Sequence, residues 1–226
     1  GLFAMAFLFS LTINSQDLVL QGIIDFDVPS AGSDGKAIHV LVVNDIDNLS
    51  LYGIGVANNG GGTDGQEYTF PAVSVLAGDN IMVARSPEAM ASFLGATEAN
   101  LMLASSDIGQ NGDDAIELFY NAEVIETFGD VDTDGSGESW EYVDSFAYKV
   151  DGAWTYAAIN CTDDAETSAT SACPYPYTGV YTLGTEVSTE TFNVTFSVNT
   201  ANITVGENGM YAGGGVLGGA NAYPLT

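Results

Sequence analysis

Residues 18–26 read LVLQGIIDF and residues 37–43 read AIHVLVV, two stretches rich in β-branched and aliphatic side chains. The turn sequence Ser33-Asp34-Gly35 precedes the second stretch, so the two predict neighbouring β-strands. Period-two alternation of this kind recurs along the chain. The other strand candidates are Leu49–Val56, Glu67–Phe70, Asn80–Arg85, Ala115–Phe119, Glu123–Phe128, Val143–Lys149 and Thr191–Val198. Short strands with regular turn signals predict an all-β protein built as a β-sandwich.

One segment has helical signals. Ser86 is a good N-cap, Pro87 suits the first turn and Gly95 suits the position after the last turn. The sequence therefore predicts a helix of about two turns that connects strands.

The charge of the chain is strongly negative. Its 226 residues contain 30 acidic and 3 basic side chains, for a formal charge of −27. Such a field repels phosphate backbones, so the composition argues against nucleic-acid binding. It is compatible with divalent-cation binding, with a cationic partner, or simply with solubility in a salty medium that screens the self-repulsion.

The two ends of the sequence differ from its middle. The apolar run within residues 1–15 is too short to span a bilayer and predicts the remnant of a secretory signal, although a buried strand is the alternative. Alternation resumes at Thr191, and we expect residues 191–226 to begin a second β domain that is truncated here, because so short a segment cannot fold alone. The main domain would then span residues 16–159, and residues 160–190 would form a loop and linker.

Two cysteines, Cys161 and Cys173, lie in that polar segment. In an exported protein they would pair as a disulfide that closes a short loop. A reactive thiol is the alternative, but no basic residue lies nearby in sequence to stabilise a thiolate.

The sharpest motif runs from Asp130 to Glu141 (DVDTDGSGESWE) and matches the spacing of a calcium-binding loop. Calcium takes six to eight oxygen ligands, which acids at alternate positions and a backbone carbonyl can supply. The predicted ligands are Asp130, Asp132, Asp134, the Ser136 carbonyl, Glu138 and Glu141. The flanking segments are strand-like instead of helical, so a strand–turn–strand connection is the alternative.

Residues suited to catalysis are few. The single histidine, His39, lies in a β pattern, where it would pack or face solvent, and no spacing suggests a partner for a general base. No nucleophile elbow or phosphate-binding loop occurs in its required context, so we expect no enzyme activity. Late aromatic residues are candidates for stacking on a sugar or anchoring a protein, or else for the core: Trp154, Tyr156, Tyr175 and Tyr177.

A series of short motifs occurs in a fixed order. Phe70-Pro71 precedes Ala77–Arg85 (AGDNIMVAR), and Gly112–Leu118 (GDDAIEL) precedes Val124–Gly129 (VIETFG). In this order they resemble the lamin tail domain, an immunoglobulin-like β-sandwich found in nuclear lamins and in secreted bacterial proteins. Phe128-Gly129-Asp130, with the Asp-Gly turn and Trp-Glu-Tyr that follow, is similar to a secreted bacterial subgroup.

The resemblance implies a non-catalytic binding or adhesion module of a larger bacterial protein, secreted or held at the cell surface, with a protein or glycan partner. Two alternatives remain open. The domain could be an accessory to an extracellular hydrolase, such as a nuclease, phosphatase or glycoside-active enzyme, or it could be a carbohydrate-binding module.

Overall fold

The computed structural model describes residues 16–187, 210–212 and 223–225. The chain divides into two compact units, Gly1–Val187 and Ser188–Thr226. The strands of the first unit are β1 (Leu18–Asp25), β2 (Lys36–Val42), β3 (Tyr52–Ala57), β4 (Tyr68–Thr69), β5 (Val73–Ser74), β6 (Asn80–Ala84), β7 (Met102–Leu103), β8 (Ala115–Tyr120), β9 (Glu123–Phe128), β10 (Ser145–Val150), β11 (Ala153–Tyr156) and β12 (Thr185–Glu186). In the second unit, β13 (Met210–Ala212) pairs antiparallel with β14 (Tyr223–Leu225).

Helical structure among the described residues is limited to α1 (Pro87–Leu94) and single 3₁₀ turns. The turns are Gly32–Gly35, Leu49–Leu51, Asn58–Gly60, Glu98–Asn100, Ser105–Asp107 and Ser168–Thr170. The Ser86 side chain accepts a hydrogen bond from the Ala89 N–H, and Gly95 ends α1 in the left-handed conformation, as the sequence predicts. The predicted all-β class is confirmed.

Two larger sheets make up the first unit. Six strands pair in the order β11-β10-β1-β2-β6-β7, and four pair in the order β4-β3-β8-β9. A separate two-stranded ribbon joins β12 to β5. The neighbours in the larger sheets are antiparallel, except that β7 runs parallel to β6.

The inner strands β1, β2 and β6 of the six-stranded sheet, which we call the central sheet, are buried on both faces. One hydrophobic cluster contains side chains from this sheet, such as Val40 and Ile81, together with Ile54 and Leu118 of the four-stranded sheet. A second cluster covers the opposite face with side chains of α1 and of the segment after the disulfide. Its largest members are Phe26, Met82, Met90, Phe93, Phe146, Tyr175 and Tyr181. The central sheet therefore lies between two apolar layers.

A β-bulge in β1 divides the strand between these layers. Leu20 pairs with Val40 and Gly22 pairs with His39, so two steps along β1 match one step along β2. As a result Leu20 and Ile23 both belong to the cluster shared with the four-stranded sheet, whereas Ile24 faces α1.

Gly22 follows the bulge and lies against a buried aromatic ring. A Cβ atom at this position would collide with the hydroxyl of Tyr175. The lack of a side chain at Gly22 therefore lets Tyr175 pack directly on the sheet.

The predicted disulfide-closed loop and linker spans residues 160–190, of which the structure describes 160–187. Part of this segment packs against the second face of the central sheet. Tyr175 and Tyr181 are buried there, and β12 pairs with β5. The predicted disulfide between Cys161 and Cys173 is present, with Cα atoms 5.7 Å apart.

We expect the double substitution Cys161→Ser/Cys173→Ser to lower the free energy of unfolding by about 3 kcal/mol, because the unfolded chain loses a loop constraint. Urea unfolding of the oxidised wild type and of the variant would measure this difference. Dithiothreitol should lower the stability of the wild type to that of the variant and should leave the variant unchanged. Equal stability of the two oxidised proteins would contradict the prediction.

Residues 1–15, the predicted signal remnant, and Thr191–Val198, the predicted strand of a second domain, lie outside the described residues. In the part of the chain that the structure describes, no helix has the length and apolar character needed to span a bilayer.

Candidate functional site

Three loops meet at one end of the four-stranded sheet and form a surface that we call the acidic end: residues 58–62, 109–114 and 130–144. Backbone hydrogen bonds join them. The Gly62 N–H donates to the Val131 carbonyl at 2.8 Å, and the Tyr142 N–H donates to the Gly112 carbonyl at 2.7 Å. The Gly135 N–H donates to the carbonyl of Asp113 at 2.9 Å. The loops are thus held to one another as well as to the sheet.

Asp114 anchors this arrangement from inside. Its side chain is buried, and its two carboxylate oxygens accept hydrogen bonds from the backbone N–H groups of Asn59 and Asn111, at 2.8 and 3.1 Å. The hydroxyl of the fully buried Tyr142 donates to the Asp114 carbonyl at 2.9 Å. Burial raises the pKa of Asp114, while the hydrogen bond from Asn59 opposes this shift. Through these hydrogen bonds, Asp114 links the loop of residues 58–62 to the loop of residues 109–114.

Asp25, at the end of β1, is the most strongly perturbed acid near this end. Burial raises its pKa from 3.8 to about 7, and the negative charge of Asp144 adds to the shift. The nearby Lys36 ammonium and a hydrogen bond from the Asp144 backbone act in the opposite direction. The Lys36 ammonium also donates to the Gly109 carbonyl at 3.4 Å. A carboxyl with such a pKa can exchange a proton near neutrality.

Gln110 joins the same end of the domain to the central sheet. Its amide nitrogen donates to the carbonyls of Ile24 and Ala37, at 3.1 and 3.3 Å. Its side-chain oxygen is buried and has no hydrogen-bond partner among the described residues. This residue therefore fixes the ends of β1 and β2 at the cost of one unsatisfied acceptor.

The six predicted calcium ligands lie in one exposed loop, and several of them bond to their own backbone. Asp130 accepts from the Asp132 N–H at 3.0 Å and Asp134 accepts from the Ser136 N–H at 2.9 Å. The Glu141 carboxylate accepts from the Gly137 N–H at 2.9 Å. Hydrogen bonds from Ser136 lower the pKa of Asp134.

Among the described residues, no group of three or more His, Cys, Asp or Glu side chains is placed to hold a metal ion. Calcium binding by this loop remains a prediction of the sequence motif. Calorimetric titration of the chain with calcium should give a saturable heat that Asp130→Ala or Glu141→Ala removes. A titration without saturable heat would contradict the prediction.

His39, on β2, is fully buried, and its side chain packs against the segment after the disulfide. Its Nδ1 lies 3.0 Å from the Tyr175 hydroxyl and its Nε2 lies 2.8 Å from the Asn80 Oδ1. Burial lowers the pKa of His39 to about 4, so the ring is neutral at physiological pH. The geometry is that of a hydrogen-bonded core residue, with the Tyr177 ring 5.0 Å away.

The structure does not bring the four candidate aromatic side chains together. Trp154 packs edge-on against Phe128 in the cluster shared by the two larger sheets, with ring centroids 4.8 Å apart. Tyr175 is buried, and Tyr177 is half-buried, on the opposite face of the central sheet. Tyr156, which is 45% exposed, is the most accessible of the four.

Sequence reasoning missed the buried acids. From the sequence, Asp113 and Asp114 are two adjacent acids whose side chains should point in different directions. In the structure, Asp113 accepts a hydrogen bond from the Ser136 hydroxyl, whereas Asp114 is buried. Nothing in the local sequence of Asp25 marks it as a buried acid, because its surroundings come from distant loops.

A scan against protein-family models, a search of curated proteins and a search of solved structures each find no match to this chain.

Proposed function

We propose that this chain is a non-catalytic binding or adhesion module of a secreted or cell-surface bacterial protein, and that the acidic end is its contact surface. The observation that carries the proposal is the mutual bonding of three loops at one end of an all-β scaffold, since binding residues are commonly presented on loops held by rigid sheets. The exposed carboxylates of residues 130–141 face the surroundings from this end.

We also propose that the first unit is an immunoglobulin-like sandwich of the lamin-tail type. The apolar cluster shared by the six-stranded and four-stranded sheets supports this, as two sheets packed around one core are what such a sandwich requires. The disulfide supports export, because disulfides persist in oxidising compartments.

Flow cytometry of bacterial and host cells with the fluorescently labelled chain tests the contact surface. We expect saturable binding that weakens in Asp132→Asn/Glu138→Gln, whose side chains are exposed in the loop. Glu98→Gln/Glu123→Gln removes the same charge elsewhere and should retain the affinity. The proposal would be contradicted if the chain bound none of the cells saturably, or if both double variants lost the same amount of affinity.

A second candidate function is carbohydrate binding, which the exposure of Tyr156 favours. On a glycan array, a signal that Tyr156→Ala removes and that Asp132→Asn/Glu138→Gln leaves intact would assign the contact to β11 instead of the acidic end. If no glycan on the array gave a signal, a protein would be the remaining class of partner.

A further inference from the structure

A groove of about 440 Å³ lies beside α1, away from the residues that form the acidic end. We call it the helix groove. Val28 and Phe93 line its base and belong to the second hydrophobic cluster, and Ala89 lines it from the first turn of α1. Ser92 is exposed on the same helix and also lines the groove. The groove is open to solvent and has an apolar base.

Carboxylates border this apolar base. Asp34 and Glu88 line the groove together with three serines, and no lysine, arginine or histidine does so. The Asp34 carboxylate accepts one hydrogen bond from the Ser30 hydroxyl at 2.9 Å, and Glu88 is exposed in the first turn of α1. Because two acids and no basic side chain line the groove, its charge favours a cationic ligand and opposes an anion at this helix N-terminus.

The groove continues past Val28 and Pro29 into a second depression of about 280 Å³, which these two residues also line. Asp27, Asp164 and Glu166 border the second depression, again without a basic side chain. The apolar base thus leads into a more polar depression, and the two together border acids over a length that one small cation would not fill. Because lysine and arginine combine an aliphatic stem with a charged head, a basic peptide matches both features.

We propose that the helix groove binds a basic segment of a partner protein. Aliphatic stems of the segment lie on the apolar base, cationic heads reach Asp34 and Glu88, and further basic residues extend toward Asp164 and Glu166. The inference rests on the proposed function as a binding module and adds the chemistry of one partner. Under this proposal, some of the negative charge of the chain serves to bind a partner at the groove and not only to keep the protein soluble.

The probe is a fluorescein-labelled peptide of alternating lysine and leucine, titrated with the full chain and followed by fluorescence anisotropy at physiological salt. Asp34→Asn/Glu88→Gln should weaken binding by roughly tenfold or more, the factor that corresponds to 1.4 kcal/mol. Glu98→Gln/Glu123→Gln makes the same change in net charge at exposed sites outside the groove and should alter binding by less than about twofold.

Ser92→Trp tests the groove without changing its charge. The indole would fill the space above the apolar base and should weaken binding as much as the loss of the acids does. Circular dichroism would confirm that each variant is folded. Equal weakening in the groove pair and the control pair, retained binding in Ser92→Trp, or no binding to the wild type would each overturn the inference. None of these results bears on cell-surface binding through residues 130–141, because that binding is tested with Asp132→Asn/Glu138→Gln, a pair that lies outside the groove.

Discussion

Replacing Asp25 with asparagine is expected to raise the free energy of unfolding at pH 8 by about 2–4 kcal/mol. Burial raises the pKa of this carboxyl from 3.8 to about 7 in the folded protein. The folded state therefore binds the proton more tightly than the unfolded state does. The stabilising contribution of the protonated group is complete below pH 3.8 and is lost as the pH rises through about 7.

Urea unfolding at pH 4, 6 and 8 would measure the effect. The difference between Asp25→Asn and wild type should be near zero at pH 4 and should grow with pH. Asp132→Asn is a matched control, because it removes one negative charge at an exposed position. A gain that is independent of pH, or that Asp132→Asn reproduces, would show that general charge reduction, and not burial of Asp25, is responsible.

The second large effect is expected at Phe26. Its ring is fully buried, with its centroid 5.0 Å from that of Phe93, 6.1 Å from that of Phe146 and 5.9 Å from that of Tyr175. Phe26→Ala should lower the free energy of unfolding by about 3–5 kcal/mol, since a cavity would remain between α1 and the central sheet. Phe26→Leu should cost less, because it retains most of the apolar volume.

Hydrogen exchange would locate this loss. Amides of α1 and of residues 161–175 should exchange faster in Phe26→Ala, whereas β3 and β8 should stay protected, because they pack in the other cluster. An equal acceleration in β3 and β8 would show that the two apolar layers unfold as one unit.

Two strands of the central sheet, β1 and β6, were predicted accurately. The intervals Leu18–Phe26 and Asn80–Arg85 agree with β1 and β6 to within one residue, because aliphatic and β-branched residues dominate both stretches. Alternation, however, does not describe β1, where seven of the eight residues are buried. A strand covered on both faces loses the polar half of the pattern, so the sequence alone did not reveal the second apolar layer.

Only the part of the candidate site that lies in one continuous stretch of sequence was predicted. The loop between Asp130 and Glu141 was found from its spacing, since all its polar groups lie in one short segment. Asp25 was not found, because the charged residues that help to raise its pKa, Asp113 and Asp144, lie more than 80 residues away in sequence. The helix groove was also missed, because Asp34 and Glu88 are brought together only by the folded chain.

The bulge in β1 has a consequence for how the length of this strand can vary. Leu20 and Ile23 face the same core although they are three positions apart, which is possible because the bulge absorbs one residue. A chain lacking Gln21 would continue as an ordinary strand, with Leu20 and Ile23 two positions apart and still on the same side. Loss of Gln21 would therefore leave the composition of both apolar layers unchanged.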